Sequence, residues 1–341
     1  MRLGVSEYLR FVLVALLLCC GITSSCTDSG VVSDNPSHKV AFSSDTISFD
    51  TVFTSIGSAT REFLVYNNND VDIEAVVSLA GGSSSPFRIN VDGMSGTSIP
   101  DVLIRANDSV FCFVSVTVNP HDSDAPVLET DSVRFVLSGG SVQNVRLMAY
   151  GQDVIRLDNQ RIQKNTLFTG NRPYLIYDTL LVEKNAVLAI NKGTRLYFHD
   201  NAVLRVAGRI RALGTPDSMI VMRGDRLDNM LSDIPYDLVS GRWGGILLDS
   251  CSFDNVFQSC DIHGAVWGIK TDRSSLKREK LFINGSIIHN VKENCLMLDF
   301  CKGRVYNSQI TNAGGHCVSL LGGDVDFIYC TIANFYPWAE K

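Results

Sequence analysis

Two hydrophobic rhythms divide the chain. From Val40 to about Asp153, apolar and polar residues alternate in short runs separated by turn residues: TISFDTVF, REFLVYNNND, IEAVVSLAGG, FRINV, SVFCFVSVTVNP, SVRFVLSGG and VQNVRLMAYG. A period of two marks strands with one buried face, so these runs predict roughly seven strands packed as two sheets. Val114, Val116 and Val118 are expected to face inward. From residue 160 to 341 the pattern repeats over a longer distance. Ile262, Ile288, Ile310 and Ile332 recur at separations of 26, 22 and 22 residues, and Asn290, Asn312 and Asn334 follow at the same 22. Ile283, Val305 and Phe327 form a further row, as do Cys260, Ser286, Ser308 and Cys330, and Cys317 follows Cys295 at the same 22 residues. Short strands and tight turns at this period predict coils of a right-handed parallel β-helix, stacked about 4.8 Å apart. A leucine-rich repeat would need an L-x-x-L-x-L spacing, which this region lacks. The expected fold class is all-β: an N-terminal sandwich over 40–153 and a solenoid over 160–341.

The first residues follow neither rhythm. Arg2 and Arg10 flank an apolar run, Phe11 to Leu18, too short to span a bilayer but of the length of a signal-peptide core. Ser24 and Ser25 directly precede Cys26, which resembles a bacterial lipobox with Cys26 as the lipidated residue; Cys19 and Cys20 lack such small neighbours. Residues 1–25 are thus expected to be a lipoprotein signal and 26–39 a tether. The implied partner is a membrane, reached through a lipid anchor, and the implied location is the cell envelope on the outer membrane. The plainer alternative is a secretory signal cut nearby.

Composition narrows the class. The net charge of −6 comes without basic clusters, which argues against nucleic acid as a partner. Seven cysteines follow Cys26, at 112, 251, 260, 295, 301, 317 and 330, with no C-x-x-C pair. Neither a disulfide framework nor a zinc ribbon fits that spacing, and free buried thiols are expected. The sequence calls for no cofactor.

Resemblance adds detail in both halves. FDTV at Phe49–Val52, YNNND at Tyr66–Asp70, ANDSV at Ala106–Val110, VNP at Val118–Pro120 and the closing LMAYG, in that order, resemble the immunoglobulin-like domains of the abnormal-spindle and hydin kind. KGTRLYFHDNAVLRVAGRI, MRGDRLDN and RWGGILL resemble the parallel β-helix lipoproteins of Bacteroidota-type bacteria, with a pectate-lyase-like solenoid. This resemblance implies an elongated envelope protein and no particular reaction. The chain stops at ANFYPWAEK directly after a repeat strand, where a solenoid needs a cap, so a truncated form is expected.

Candidate chemistry is sparse. SQITNAGGHCVSLL places His316 beside Cys317 and near Asn312, but Asn312 and Cys317 belong to repeat rows and adjacent strand residues face opposite ways, so a Cys-His catalytic pair is not expected. Asp261, His263 and His289 are expected to project outward from two successive coils, within about 5–7 Å of one another, a geometry that suits a transition metal or a ligand. The plainer reading is a solvated polar strip. Arg223, Asp225, Arg226 and Asp228, at the start of an insertion over 226–241, with Trp243 nearby, form a second candidate ligand loop; the plainer reading is that Asp225 and Asn229 shape turns. Trp267, Tyr336 and Trp338 are further candidates for carbohydrate contact. Polysaccharide lyases and hydrolases on this fold cluster carboxylates on one sheet, whereas the outward row here, Asp261, Ile287, Gln309 and Thr331, loses its charge after one coil.

Asp followed by Ser or Thr and an apolar residue recurs six times, with Thr46, Thr51, Ser109, Ser132, Thr179 and Ser218 as acceptors. This resembles the O-glycosylation motif of Bacteroidota envelope proteins; the alternative is a turn residue ahead of a strand. The functional expectation is binding or scaffolding at the envelope, of a glycan or another envelope protein. The alternative is a carbohydrate-active enzyme with its site on the β-helix or in missing C-terminal coils.

Overall fold

The computed structural model describes residues 30–231 and 234–336; Cys26, the apolar leader and Trp338 lie outside the described residues. Ten strands build the first region: β1 (Ala41–Phe42), β2 (Thr46–Phe53), β3 (Arg61–Asn67), β4 (Ile73–Leu79), β5 (Phe87–Val91), β6 (Met94–Gly96), β7 (Ser98–Ile104), β8 (Asp108–Val116), β9 (Val127–Leu137) and β10 (Val142–Gln152). They form two five-stranded sheets, ordered β1-β3-β8-β5-β6 and β2-β10-β9-β4-β7. Alternation sets the inner faces: Val114, Val116 and Val118 are buried, opposite Val133, Phe135, Val145 and Leu147 of the other sheet.

Three strands were not expected from the pattern: β1, β6 and β7. β1 and β6 are too short to show a period. β7 carries Pro100, and it lies at a sheet edge, where a missing N–H removes no ladder hydrogen bond. The YNNND stretch has a clear local cause. Asn67 is wholly buried, and its amide donates to the carbonyls of Val71 and Ile104, both at 2.9 Å. The amide thereby satisfies two carbonyls that burial would otherwise leave unpaired.

A parallel β-solenoid of about 8 turns follows. Its first strand, Ile155–Asp158, begins ahead of the expected residue 160. One eight-stranded parallel sheet runs the length of the solenoid. Within it Tyr174, Leu196, Met222, Ile262, Ile288, Ile310 and Ile332 are paired in a single column. Burying each aliphatic side chain of such a column contributes about 1.5–3 kcal/mol, which is why the apolar row holds its register while loops vary.

Loops account for the uneven period. The coil through Ile262 joins strands Ile269–Thr271 and Leu281–Asn284 by a loop; the next coil fuses the equivalent positions into one strand, Leu296–Tyr306, and the spacing falls to 22. Met222 and Ile262 lie 40 residues apart because the insertion intervenes. Trp243, at the return from that insertion, corrects an expectation. Its indole is 0% exposed, stacked on Phe198 with ring centres 4.1 Å apart, and its Nε1–H donates to the His263 carbonyl at 2.8 Å. A side chain packed in the core in this way is closed to a ligand in the adjoining loop.

The polar rows are internal scaffolding. The Cys260 amide donates to Ser286 Oγ at 3.0 Å, and the Ser286 amide to Ser308 Oγ at 3.1 Å. Asn290 and Asn312 occupy left-handed corners (φ 51° and 56°), and the Asn312 amide donates to Asn290 Oδ1 at 3.2 Å. Asn334 instead bonds the backbone of Ala313 on the neighbouring coil. Cys295 and Cys317 stack as free thiols, and His316 is exposed beyond the Gly314–Gly315 bend.

Sandwich and solenoid meet through a small apolar contact. Phe53, at the end of β2, packs on Tyr197 with ring centres 5.0 Å apart and beside Leu175, flanked by Ile56, Val154, Tyr177 and Leu227.

Candidate functional site

Two adjoining features share the insertion between Gly224 and Gly245. The first is a closed polar cluster. His263 and His289 pair in register on neighbouring strands of the long sheet, with Asp261 two residues before His263 on the same face. Asp261 Oδ1 lies 2.8 Å from His263 Nδ1 and 3.1 Å from His289 Nε2, and the two imidazoles stack with centres 4.8 Å apart. The groups are closer than expected, and their surroundings correct the picture of a solvated strip: His263 is only 4% exposed.

The cover is the insertion itself. It contains a small hairpin, Asn229–Leu231 with Ile234–Pro235, and a 3₁₀ turn at Tyr236–Leu238. The Tyr236 ring is contacted by the guanidinium groups of Arg226 at 4.2 Å and Arg242 at 4.9 Å, and Ser240 Oγ hydrogen-bonds the Tyr336 hydroxyl at 2.7 Å. These contacts bring Asp237 onto His263 Nε2 at 2.8 Å, and Arg223 Nη1 holds the same Asp237 oxygen at 2.6 Å. Both ring nitrogens of His263 therefore face carboxylates.

Charge follows geometry. Burial works to lower the His263 pKa, but the hydrogen bonds it donates to Asp237 and Asp261 and their charges outweigh it and raise it to about 9. Burial works to raise the Asp261 pKa, and the two histidines overcome that, holding the carboxyl well below the usual range. Asp237 is held low by its His263 hydrogen bond, against burial, with help from Arg223.

The second feature is a cleft of about 290 Å³ where sandwich and solenoid meet. Val52, Phe53 and Ile56 form the sandwich wall; Tyr177, His199, Asp225, Arg226 and Asp228 form the solenoid wall. His199 Nδ1 and Asp225 Oδ2 are 2.6 Å apart. Arg226 grips Asp228 through two bonds, of 2.7 and 2.6 Å; burial would raise the Asp228 pKa, but this pairing keeps it low. The Tyr177 ring is contacted by His199 at 4.4 Å and by Arg156 at 4.3 Å.

The expected ligand loop is thus divided between the two features. Arg223 serves the closed cluster; Asp225, Arg226 and Asp228 line the cleft; Trp243 joins neither. Trp267 is half-buried, with Lys270 Nζ 5.8 Å from its ring, and Tyr336 is tied to Ser240. The six glycosylation candidates, Thr46, Thr51, Ser109, Ser132, Thr179 and Ser218, are all half-buried. At Ser109 and Ser132, both within strands, the preceding aspartate accepts from the serine amide at 2.7 Å. Asp237 and His199 were missed because neither belongs to a repeat row. The excess length between Met222 and Ile262 is the signal that marks Asp237's loop; nothing in the sequence marks His199.

No protein-family model matches the chain, and no curated protein matches its sequence. Several solved structures share local likeness. A family 123 glycoside hydrolase from Clostridium perfringens is 7% identical, with a TM-score of 0.27, over 38% of this chain and 30% of the hydrolase. A protein of unknown function from Porphyromonas gingivalis W83 is 10% identical, with a TM-score of 0.25, over 36% of this chain and 59% of its own. The PapD-like domain 7 of human CEP192 is 12% identical, with a TM-score of 0.23, over 38% of this chain and 94% of that domain. The chain spans less than a third of the hydrolase, and likeness at these scores carries no functional argument. No helix among the described residues is long and apolar enough to cross a membrane.

Proposed function

We propose that the protein is an exported lipoprotein of the cell envelope, of the Bacteroidota type, that binds a glycan in the cleft between its sandwich and its solenoid. The cleft is the observation that carries this reading. It opposes an apolar wall, Val52 and Ile56, to a wall of hydrogen-bonding groups, His199, Asp225, Arg226 and Asp228. A sugar ring has the matching character, an apolar C–H face and a rim of hydroxyls that charged planar side chains hold in pairs. Sites at domain junctions are a common place for such ligands. Export and anchoring rest on the Arg2–Leu18 leader and on Cys26 after Ser24 and Ser25.

The test is a glycan array probed with the full chain. The expected result is a restricted set of glycans whose binding falls at least tenfold in Asp225→Ala. An array without hits, or hits that the variant retains, ends the reading. The second reading, a carbohydrate-active enzyme, draws on the short His199–Asp225 contact, the arrangement of a base oriented by a carboxylate. Release of reducing ends from a bound polysaccharide, abolished in His199→Ala, would select it.

A further inference from the structure

We propose that Asp261, His263 and His289 bind one divalent transition-metal ion of the zinc type, with Asp237 behind His263 as a positioning carboxylate. The donors come from rigid elements. Register fixes His263 beside His289 on adjacent strands, and Asp261 lies on the same face. Their ligating atoms all fall within 4.8 Å of one another. Zinc bonds of about 2.0–2.1 Å in a tetrahedron separate donor atoms by about 3.3 Å. The Asp261 contacts of 2.8 and 3.1 Å need to widen by only a few tenths of an ångström, while the imidazoles swing their nitrogens toward a common centre.

Behind the donors stands the arrangement that metal-bound histidines use. His263 offers Nδ1 toward Asp261 while its Nε2–H donates to Asp237 at 2.8 Å, and Arg223 fixes Asp237. A carboxylate on the far nitrogen sets the tautomer that leaves Nδ1 free to ligate and raises its basicity. The ion takes the place of the Nδ1 proton of His263, which leaves to solvent, and His289 ligates through Nε2 with its own proton on Nδ1. Two imidazoles and a carboxylate favour zinc, nickel or copper over magnesium and calcium, which seek oxygen donors alone. His263 forms the dry side of the cluster. The side chains of Asp261 and His289 are about one-quarter exposed, leaving an entry path and a position for a water ligand.

The same ion has a structural consequence. It would join two coils to each other and, through Asp237, to the insertion loop that also lines the cleft. That link does not depend on what the cleft holds.

The test uses full chain without an affinity tag, stripped with a chelator and with accessible thiols alkylated, titrated with Zn²⁺ against a chromogenic chelator. One equivalent is expected. His289→Ala, at a side chain about one-quarter exposed, should bind at least tenfold more weakly, and Asp261→Asn likewise. Asp237→Asn should keep one equivalent with affinity reduced about 10–100-fold. Cobalt in place of zinc should give visible d–d bands without a thiolate charge-transfer band. Failure of the full chain to take up one equivalent, wild-type affinity in His289→Ala, or a thiolate band overturns the proposal.

Discussion

Asp237 and His263, 26 residues apart in sequence, meet at 2.8 Å across the boundary between an irregular insertion and a regular coil. The contact closes a loop over a sheet face and makes a buried imidazole the fastening point. Asp237→Ala should therefore leave a buried N–H unpaired, at a cost of about 1–3 kcal/mol. Urea unfolding should report that loss, and limited proteolysis should cut within 226–241 faster than in the unaltered chain. An unchanged midpoint with an uncut loop would show that the insertion is held by Tyr236 and Ser240 alone.

pH should act on the same fastening in chelator-treated protein. The His263 pKa is raised from 6.5 to about 9 on folding, facing Asp261, Asp237 and His289 with Arg223 behind Asp237. A raised base stabilises fully below its unfolded pKa, so this contribution is complete below about pH 6.5 and disappears as pH rises through 9. The low carboxyls Asp237 and Asp261 act in the other direction: their contribution is present above about pH 4 and lost on acidification. Thermal unfolding across pH 4–10 should show a plateau followed by a decline above 6.5, and His263→Gln should flatten that decline. Stability that rises between pH 6.5 and 9 would contradict it.

Corner geometry gives a separate expectation. Asn312 combines a left-handed backbone with hydrogen bonds to Asn290 and to the Phe335 amide. Asn312→Ala should lose about 1–3 kcal/mol, from left-handed strain together with the lost bonds. Asn312→Gly should lose less, because glycine adopts the corner without strain. Equal losses in the two variants would assign the whole effect to the side chain.

Thiol reactivity should be uneven. Burial pushes Cys112 up to about 12 and Cys260 upward as well, while Cys251 is exposed. An aromatic disulfide reagent near pH 8 should label Cys251 quickly and reach Cys112 and Cys260 only after denaturation. Mass spectrometry of timed digests can read the order, and early labelling of Cys112 would place it outside the sandwich core.

Legibility in the sequence followed periodicity. Ile262, Ile288, Ile310 and Ile332 announced their column because each stacked coil buries the same apolar position, as it does Ile262, Ile288 and Ile310, while Ile332 on the last described coil is 49% exposed. The rows Asn290–Asn312 and Ser286–Ser308 were visible for the same reason, since each polar side chain satisfies a backbone or amide group of its neighbour. The Asp261–His263–His289 cluster was found because its residues flank the Ile262–Ile288 column on neighbouring coils. Its buried state was not, because the cover comes from Asp237 and Tyr236, whose positions are set by contacts within an aperiodic loop. Trp243 misled in the converse way: an indole beside a polar loop reads as a surface contact, and only the three-dimensional return of the chain turns it into the core. The cleft joins residues from β2 with residues near 177, 199 and 225, a juxtaposition no local pattern encodes.

The central functional claim is that a glycan is held between the two regions, and its most direct measurement is where that glycan protects the chain. Hydrogen–deuterium exchange on full-length protein, with and without a saturating array-selected glycan, should show added protection in peptides covering 49–61 and 225–228. Protection confined to other faces of the solenoid, with those two segments unchanged, would contradict the account.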